Sequence, residues 1–291
     1  MTSGSVYKGK KTTKMAHFTD GIECINYSKY ALDQYPSLKE LMVPADFDIW
    51  ADKLNRCSNI RDFLLGNAAR LNLLNVSTYV GFNLQESVSD PFSDHCKIVL
   101  AKCELYLKAF PGLKSNKSFK TKIKNIDTLS FLSTLSELSL AYELKKYGLS
   151  VKFESKFKQL TTQKDRDVDI SASDINNNEM HFEVYMPNKQ SETNGFFDFT
   201  EDVSHFERKI GHKLIDKFGQ DGISGLNGTI LLAINKIFFD TMHIRTALPF
   251  FESGYENLIK LIPDGIDGLF IYEDGFGSDN SFKFENIVLK T

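Results

Sequence analysis

The strongest constraint on this chain is a change of hydrophobic period between residues 127 and 186. Apolar residues first recur at helical spacing, with Leu140, Ala141 and Leu144 on one stripe. Asp127 or Thr128 can cap this helix, which the spacing predicts to run to Tyr147, and Gly148 supplies a C′ stop. The period then falls to two. Short alternating segments at 150–154, 168–172 and 180–186 read as strands, and Asn176-Asn177-Asn178 marks a tight turn that makes the last two an antiparallel hairpin. A second helix over about 201–218 follows, then an apolar strand at 229–234, a short helix near 255–261, a strand at 268–272 and an edge strand at 282–289. Helix, three strands, helix and strand in this order define an α/β fold with a central mixed sheet.

Residues 26–110 carry only helical patterns. Phe47, Trp50, Ala51 and Leu54 share one stripe. Ser58 can cap a helix reaching Leu74, with Ile60, Phe63, Leu64, Ala68, Leu71 and Leu74 on its apolar face. Ser93 can cap another, striped by Cys96, Val99, Leu100, Cys103 and Leu107 and ending before Pro111-Gly112. The chain therefore divides into a mostly helical region, 1–125, with a lysine-bearing N-terminal tail, and an α/β region, 126–291. Between them, residues 114–124 hold five lysines. This stretch reads either as a solvated linker or as a segment that touches a phosphate backbone.

Net charge is −3, unevenly shared: residues 1–125 carry 18 Lys+Arg against 12 Asp+Glu, and residues 126–291 carry 17 against 26. A basic front and an acidic back suit a phosphate-binding arm beside a metal site, or else a solvated surface. Neither an apolar run long enough to span a bilayer nor an apolar signal core at the N-terminus is present, so a cytoplasmic, non-membrane protein is expected. Cys24, Cys57, Cys96 and Cys103 form no CxxC pair, which argues for reduced thiols rather than zinc ligands.

Three carboxylates stand out. Glu137 falls on the stripe of Leu140, Ala141 and Leu144, where a charge is costly unless it is paired or bound to a metal. Asp169 shares a strand face with Asp167, and Glu183 shares one with His181 and Tyr185. Acids facing each other across neighbouring strands repel unless a cation lies between them. Hard carboxylate oxygens are what Mg²⁺ prefers, together with waters and phosphate oxygens.

Leu135 to Gly148 around Glu137, then Val168-Asp169-Ile170, then Phe182-Glu183-Val184-Tyr185, resemble the PD-(D/E)XK nuclease superfamily over about residues 127–235. The resemblance implies a restriction-endonuclease-like αβββαβ core and Mg²⁺-dependent (or Mn²⁺-dependent) hydrolysis of DNA phosphodiester bonds. It also implies metal ligands at Glu137, Asp169 and Glu183, and the dimeric state common in such nucleases. Two positions depart from it: Val168 stands at the motif proline, and Tyr185 at the catalytic lysine. Some members of the superfamily supply that lysine from elsewhere. Lys213 and Lys209 on the helix over 201–218 are the candidates, with Lys189 behind them, and His205 and His212 as possible proton carriers. If no lysine reaches the acids, the resemblance implies a catalytically inactive core that binds nucleic acid or a protein partner.

Overall fold

The computed structural model describes residues 18, 20–65, 71–87, 91–128, 130–158, 163–187, 212–213, 226–237, 262, 266–278 and 280–290. It is an α/β fold around a six-stranded sheet whose spatial order follows the chain, β1 to β6. The strands are β1 (Ser150–Lys158), β2 (Asp165–Ser173), β3 (Glu179–Tyr185), β4 (Thr229–Asn235), β5 (Gly268–Glu273) and β6 (Lys283–Leu289). The pairs β1/β2, β2/β3 and β5/β6 are antiparallel, and β3/β4 and β4/β5 are parallel, so the sheet is mixed. The parallel centre is where the sequence is continuously apolar, Thr229-Ile-Leu-Leu-Ala-Ile, because a strand with parallel neighbours is buried on both faces.

The helical part comprises α1 (Gly21–Leu32), α2 (Pro36–Lys39), α3 (Pro44–Arg56), α4 (Ile60–Leu65), α5 (Leu73–Glu86), α6 (Pro91–Ala109) and α7 (Lys117–Lys124), and α8 (Ser130–Lys146) leads into the sheet. One expected helix over 58–74 is instead α4 and the start of α5. Asn72 takes extended backbone and exchanges side-chain hydrogen bonds with the N–H groups across to Asn75, a capping box that begins a new helix against the continuing apolar stripe. The segment 114–124 is not a loose connection. A 3₁₀ turn (Pro111–Ser115) is followed by α7, which Asn116 caps through Phe119 N–H and which buries Phe119 and Ile123.

α8 joins the two parts. Phe131, Leu132, Leu135 and Leu138 pack into the core formed by the N-terminal helices. One turn on, Leu140, Ala141 and Leu144 pack on Ile170, Ala172, Phe182, Val184, Leu231 and Ala233 of the sheet. Apolar packing therefore runs across residue 125. α8 ends as the sequence predicts: Gly148 has φ +84°, its N–H reaches Lys145 O, and Leu149 N–H reaches Leu144 O, a Schellman motif. The Asn-rich turn is held by Asp174, whose carboxylate accepts from Asn176 N–H and Asn178 N–H. Cys24, Cys96 and Cys103 are buried and not in disulfides, and burial pushes the Cys24 thiol up to about 12. Among the described residues no helix is long and apolar enough to cross a membrane.

A buried polar knot ties α6, α8 and the ends of β4 and β5 together. Asp274 is fully buried, pairs with Lys102 at 3.2 Å, and accepts from Ser139, Ser281 and Phe276 N–H. Asn235 donates to Ser136 Oγ at 2.9 Å, and Tyr272 OH donates to Ser136 O at 2.9 Å. Breaking one partner of such a knot is costly, because the rest is left charged or unsatisfied in a dry interior.

Candidate active site

The site lies where β2 and β3 part. Their ladder ends at Ile170 opposite Phe182, one residue short of Asp169 and Glu183. There the Asp169 side chain takes the place of a backbone carbonyl: Oδ2 accepts from Val184 N–H at 2.8 Å. This bond holds the fork open and fixes the carboxylate at it. On the other side of β2, β1 continues in unbroken register, Phe153 opposite Ile170 and Ser155 opposite Val168. Glu154 thus falls opposite Asp169, and it is the one residue of β1 outside the ladder, with φ +51°. A left-handed backbone at a non-glycine residue costs on the order of 1 kcal/mol or more and is typical of functional sites. Register therefore sets Glu154, Asp169 and Glu183 in one row across three strands.

Glu183 is buried, at 2% exposure. Lys213, which is helical as expected, brings Nζ to 3.5 Å from Glu183 Oε1 and lies 5.3 Å above the centre of the Tyr185 ring. Tyr185 thus serves as an aromatic platform for a lysine from another element. Burial raises the Tyr185 phenol, which keeps it neutral. His212, next to Lys213, is exposed. Lys209, Lys189 and His205 lie outside the described residues.

Glu137 approaches from α8. Burial first, and then the charges of Asp169, Glu183 and Glu154, push its carboxyl up to about 8, against the opposing pull of Lys122. Lys122, on α7, lies 3.8 Å from Glu137 Oε2 and 3.6 Å from Glu154 Oε1. Burial works against the Lys122 charge, but Glu137, Asp169 and Glu154 outweigh it and raise its pKa. Glu154 also accepts from Asn116 Nδ2 at 2.9 Å. Burial acts to raise its carboxyl, and the bonds from Asn116 and Ser118 together with Lys122 reverse the sign.

Glu137, Asp169, Glu183 and Lys213 are the candidates that the sequence pattern singles out here; Glu154 and Lys122, which lie beside them, carry no such signal. Among the described residues no three His, Cys, Asp or Glu side chains are grouped closely enough to hold a metal ion together. The expected three-carboxylate centre is thus brought to one neighbourhood without being closed, with Lys122 at its α8 end and Lys213 at Glu183. Two residues further along the same strand faces, Ser171 Oγ meets His181 Nδ1 at 2.7 Å while His181 Nε2 donates to Asn227 O at 2.8 Å. Both nitrogens are satisfied, as in a structural histidine.

A scan of the chain against protein-family models gave no match, and a search of curated proteins gave no relative.

Proposed function

We propose that the chain is a divalent-metal-dependent nuclease acting on DNA, built on a restriction-endonuclease-like core. The observation that carries this reading is the position of Lys213, against Glu183 and over the ring of Tyr185, where a lysine ammonium is needed and the local motif lacks one. The strand order, the fork at Asp169 and the approach of Glu137 from the preceding helix support it.

The residues suit a hard cation. Mg²⁺ is commonly held by one or two carboxylates, with water and phosphate oxygens completing its shell, so the pair Asp169 and Glu183 suffices. The acids also outnumber the bases: four carboxylates (Glu137, Glu154, Asp169 and Glu183) face two lysines, and burial first, with this surplus adding to it, keeps Glu137 protonated near neutral pH. Such an ion supplies charge neutralisation at the phosphoryl group and lowers the pKa of water. Lys213 then stabilises the negative charge that builds on the phosphoryl oxygens and orients the attacking water. Tyr185 holds the Lys213 side chain in place. Val184 N–H fixes the Asp169 carboxylate, so that little reorganisation is needed at the moment of reaction.

The test is cleavage of supercoiled plasmid and labelled oligonucleotide in Mg²⁺ or Mn²⁺ by wild type, Asp169→Asn, Glu183→Gln and Lys213→Met. Wild type should cleave, and each variant should be slower by about a hundredfold or more. Absence of cleavage with both metals, or equal rates in all four proteins, would show the reading wrong. The neutralisation of the acids by two lysines favours one second reading, a core that binds nucleic acid without cutting it. That reading predicts salt-dependent, metal-independent binding by a protein with no cleavage activity.

A further inference from the structure

Lys122 has no role in the reaction just described, yet it holds a central position in the site. It belongs to the helical region, on a helix whose cap residue Asn116 is itself bonded to Glu154. α7 is therefore tied to the acid row at two points, by a neutral hydrogen bond at Asn116 and by an ammonium at Lys122. The ammonium stands between Glu137 and Glu154, at 3.8 and 3.6 Å, and Asp169 adds to the field that holds it charged. Other lysines of α7 are engaged differently: Lys124 pairs with Asp46 on the opposite side of the helix, and Lys120 makes no ion pair among the described residues.

We propose that Lys122 is the site's internal counter-ion, a built-in competitor that sets how tightly the acids hold a divalent cation. The proposal rests on the reading of Asp169 and Glu183 as the metal-holding pair. Its physical basis is charge. An ammonium within 4 Å of Glu137 and Glu154 stabilises them when no metal is bound, and its field, which reaches Asp169, repels a cation approaching that acid. A lysine placed here thus lowers metal affinity while protecting the empty site from its own repulsion. It also makes metal occupancy depend on α7, and so on whatever the helical region binds.

The measurement is Mn²⁺ binding without DNA, followed by the electron paramagnetic resonance of free Mn²⁺, on wild type, Lys122→Met, Lys122→Gln and Lys120→Met. Met keeps the apolar stem of lysine, and Gln guards against a folding defect peculiar to Met. Both Lys122 variants should bind Mn²⁺ at least about tenfold tighter than wild type, the scale of a single nearby charge, while Lys120→Met matches wild type. In EDTA both Lys122 variants should melt below wild type, and on addition of Mn²⁺ they should gain more. Unchanged or weaker Mn²⁺ binding in both Lys122 variants, or no Mn²⁺ binding by any of the proteins, overturns the proposal. Its failure and that of the nuclease reading are separable. Tighter Mn²⁺ binding in proteins that never cleave DNA retains the counter-ion and removes the nuclease. Cleavage by wild type with no change in Mn²⁺ binding does the reverse.

Discussion

Glu137→Gln is the sharpest metal-free probe of the site. A carboxyl held at about 8 instead of 4.5 binds a proton in the folded protein that the unfolded chain has already lost over that whole interval. Stability therefore falls as pH rises from about 4.5 to about 8, and the penalty is complete and constant above that. Each pKa unit is worth about 1.4 kcal/mol, so the interval holds at most about 5 kcal/mol. Relaxation of the site on ionisation reduces it, and a difference on the order of 3 kcal/mol is the expectation. Glutamine has the same shape and nothing to ionise. At pH 5 the variant and wild type should melt together; at pH 8.5 the variant should melt higher by roughly 5–10 °C for a chain of this size. The lost attraction to Lys122 works in the other direction, but it is already included in the net upward shift. The assay is scanning calorimetry in EDTA from pH 5 to 9. A melting difference that does not change with pH, or a variant less stable than wild type at pH 8.5, would refute the account of burial and repulsion at Glu137. Mg²⁺ added at pH 8 should raise wild type more than the variant, since a cation held at Asp169 and Glu183 would offset the repulsion that an ionised Glu137 adds.

Asp169→Asn keeps an oxygen for Val184 N–H, whereas Asp169→Ala leaves that donor without its bond; chemical denaturation should put Ala about 1–3 kcal/mol below Asn, and equal stabilities would remove the fork's hydrogen bond from the argument. Lys102→Met leaves Asp274 buried and unpaired, and should cost about 3–5 kcal/mol in the same assay; a change under 1 kcal/mol would mean that Ser139, Ser281 and Phe276 N–H satisfy Asp274 without it. In a Lys213→Met background, Tyr185→Lys should restore part of the lost cleavage by returning the ammonium to the motif position, and no recovery would argue that Lys213 acts by some means other than its charge beside Glu183.

The parts of the fold legible in the sequence are those where one local signal decides. Gly148 ends α8 because its φ of +84° suits glycine, and the Asn-rich turn closes the hairpin through Asp174. The apolar runs of β4 and β5 can only be interior strands. What stayed hidden depends on packing. α5 is buried on nearly every side from Leu73 to Asn83, so it has no polar face to reveal its period. α7 looks like a lysine-rich linker because only Phe119 and Ile123 face inward, and both are needed to seat a two-turn helix. β1 continues to Lys158 past the point where alternating lysines suggest an end, since at a sheet edge those lysines simply point to water.

The same distinction explains which half of the site could be read. Acids on neighbouring strands are legible because strand period and register are local properties, and they put Asp169 and Glu183 at matching positions. The cations are less so, because each enters from an element whose docking the sequence does not state: Lys122 on α7 carries no signal of its own, and Lys213 is legible only as one of several lysines on its helix. Once both are in place, Tyr185 has a part in the charge balance of the site. A lysine there in addition to Lys213 would set two ammoniums against one buried carboxylate, and each would lower the affinity of the acids for a further cation. An aromatic ring gives Lys213 a surface to lie on without adding charge. Tyrosine at position 185 thus leaves the single ammonium of Lys213 beside Glu183.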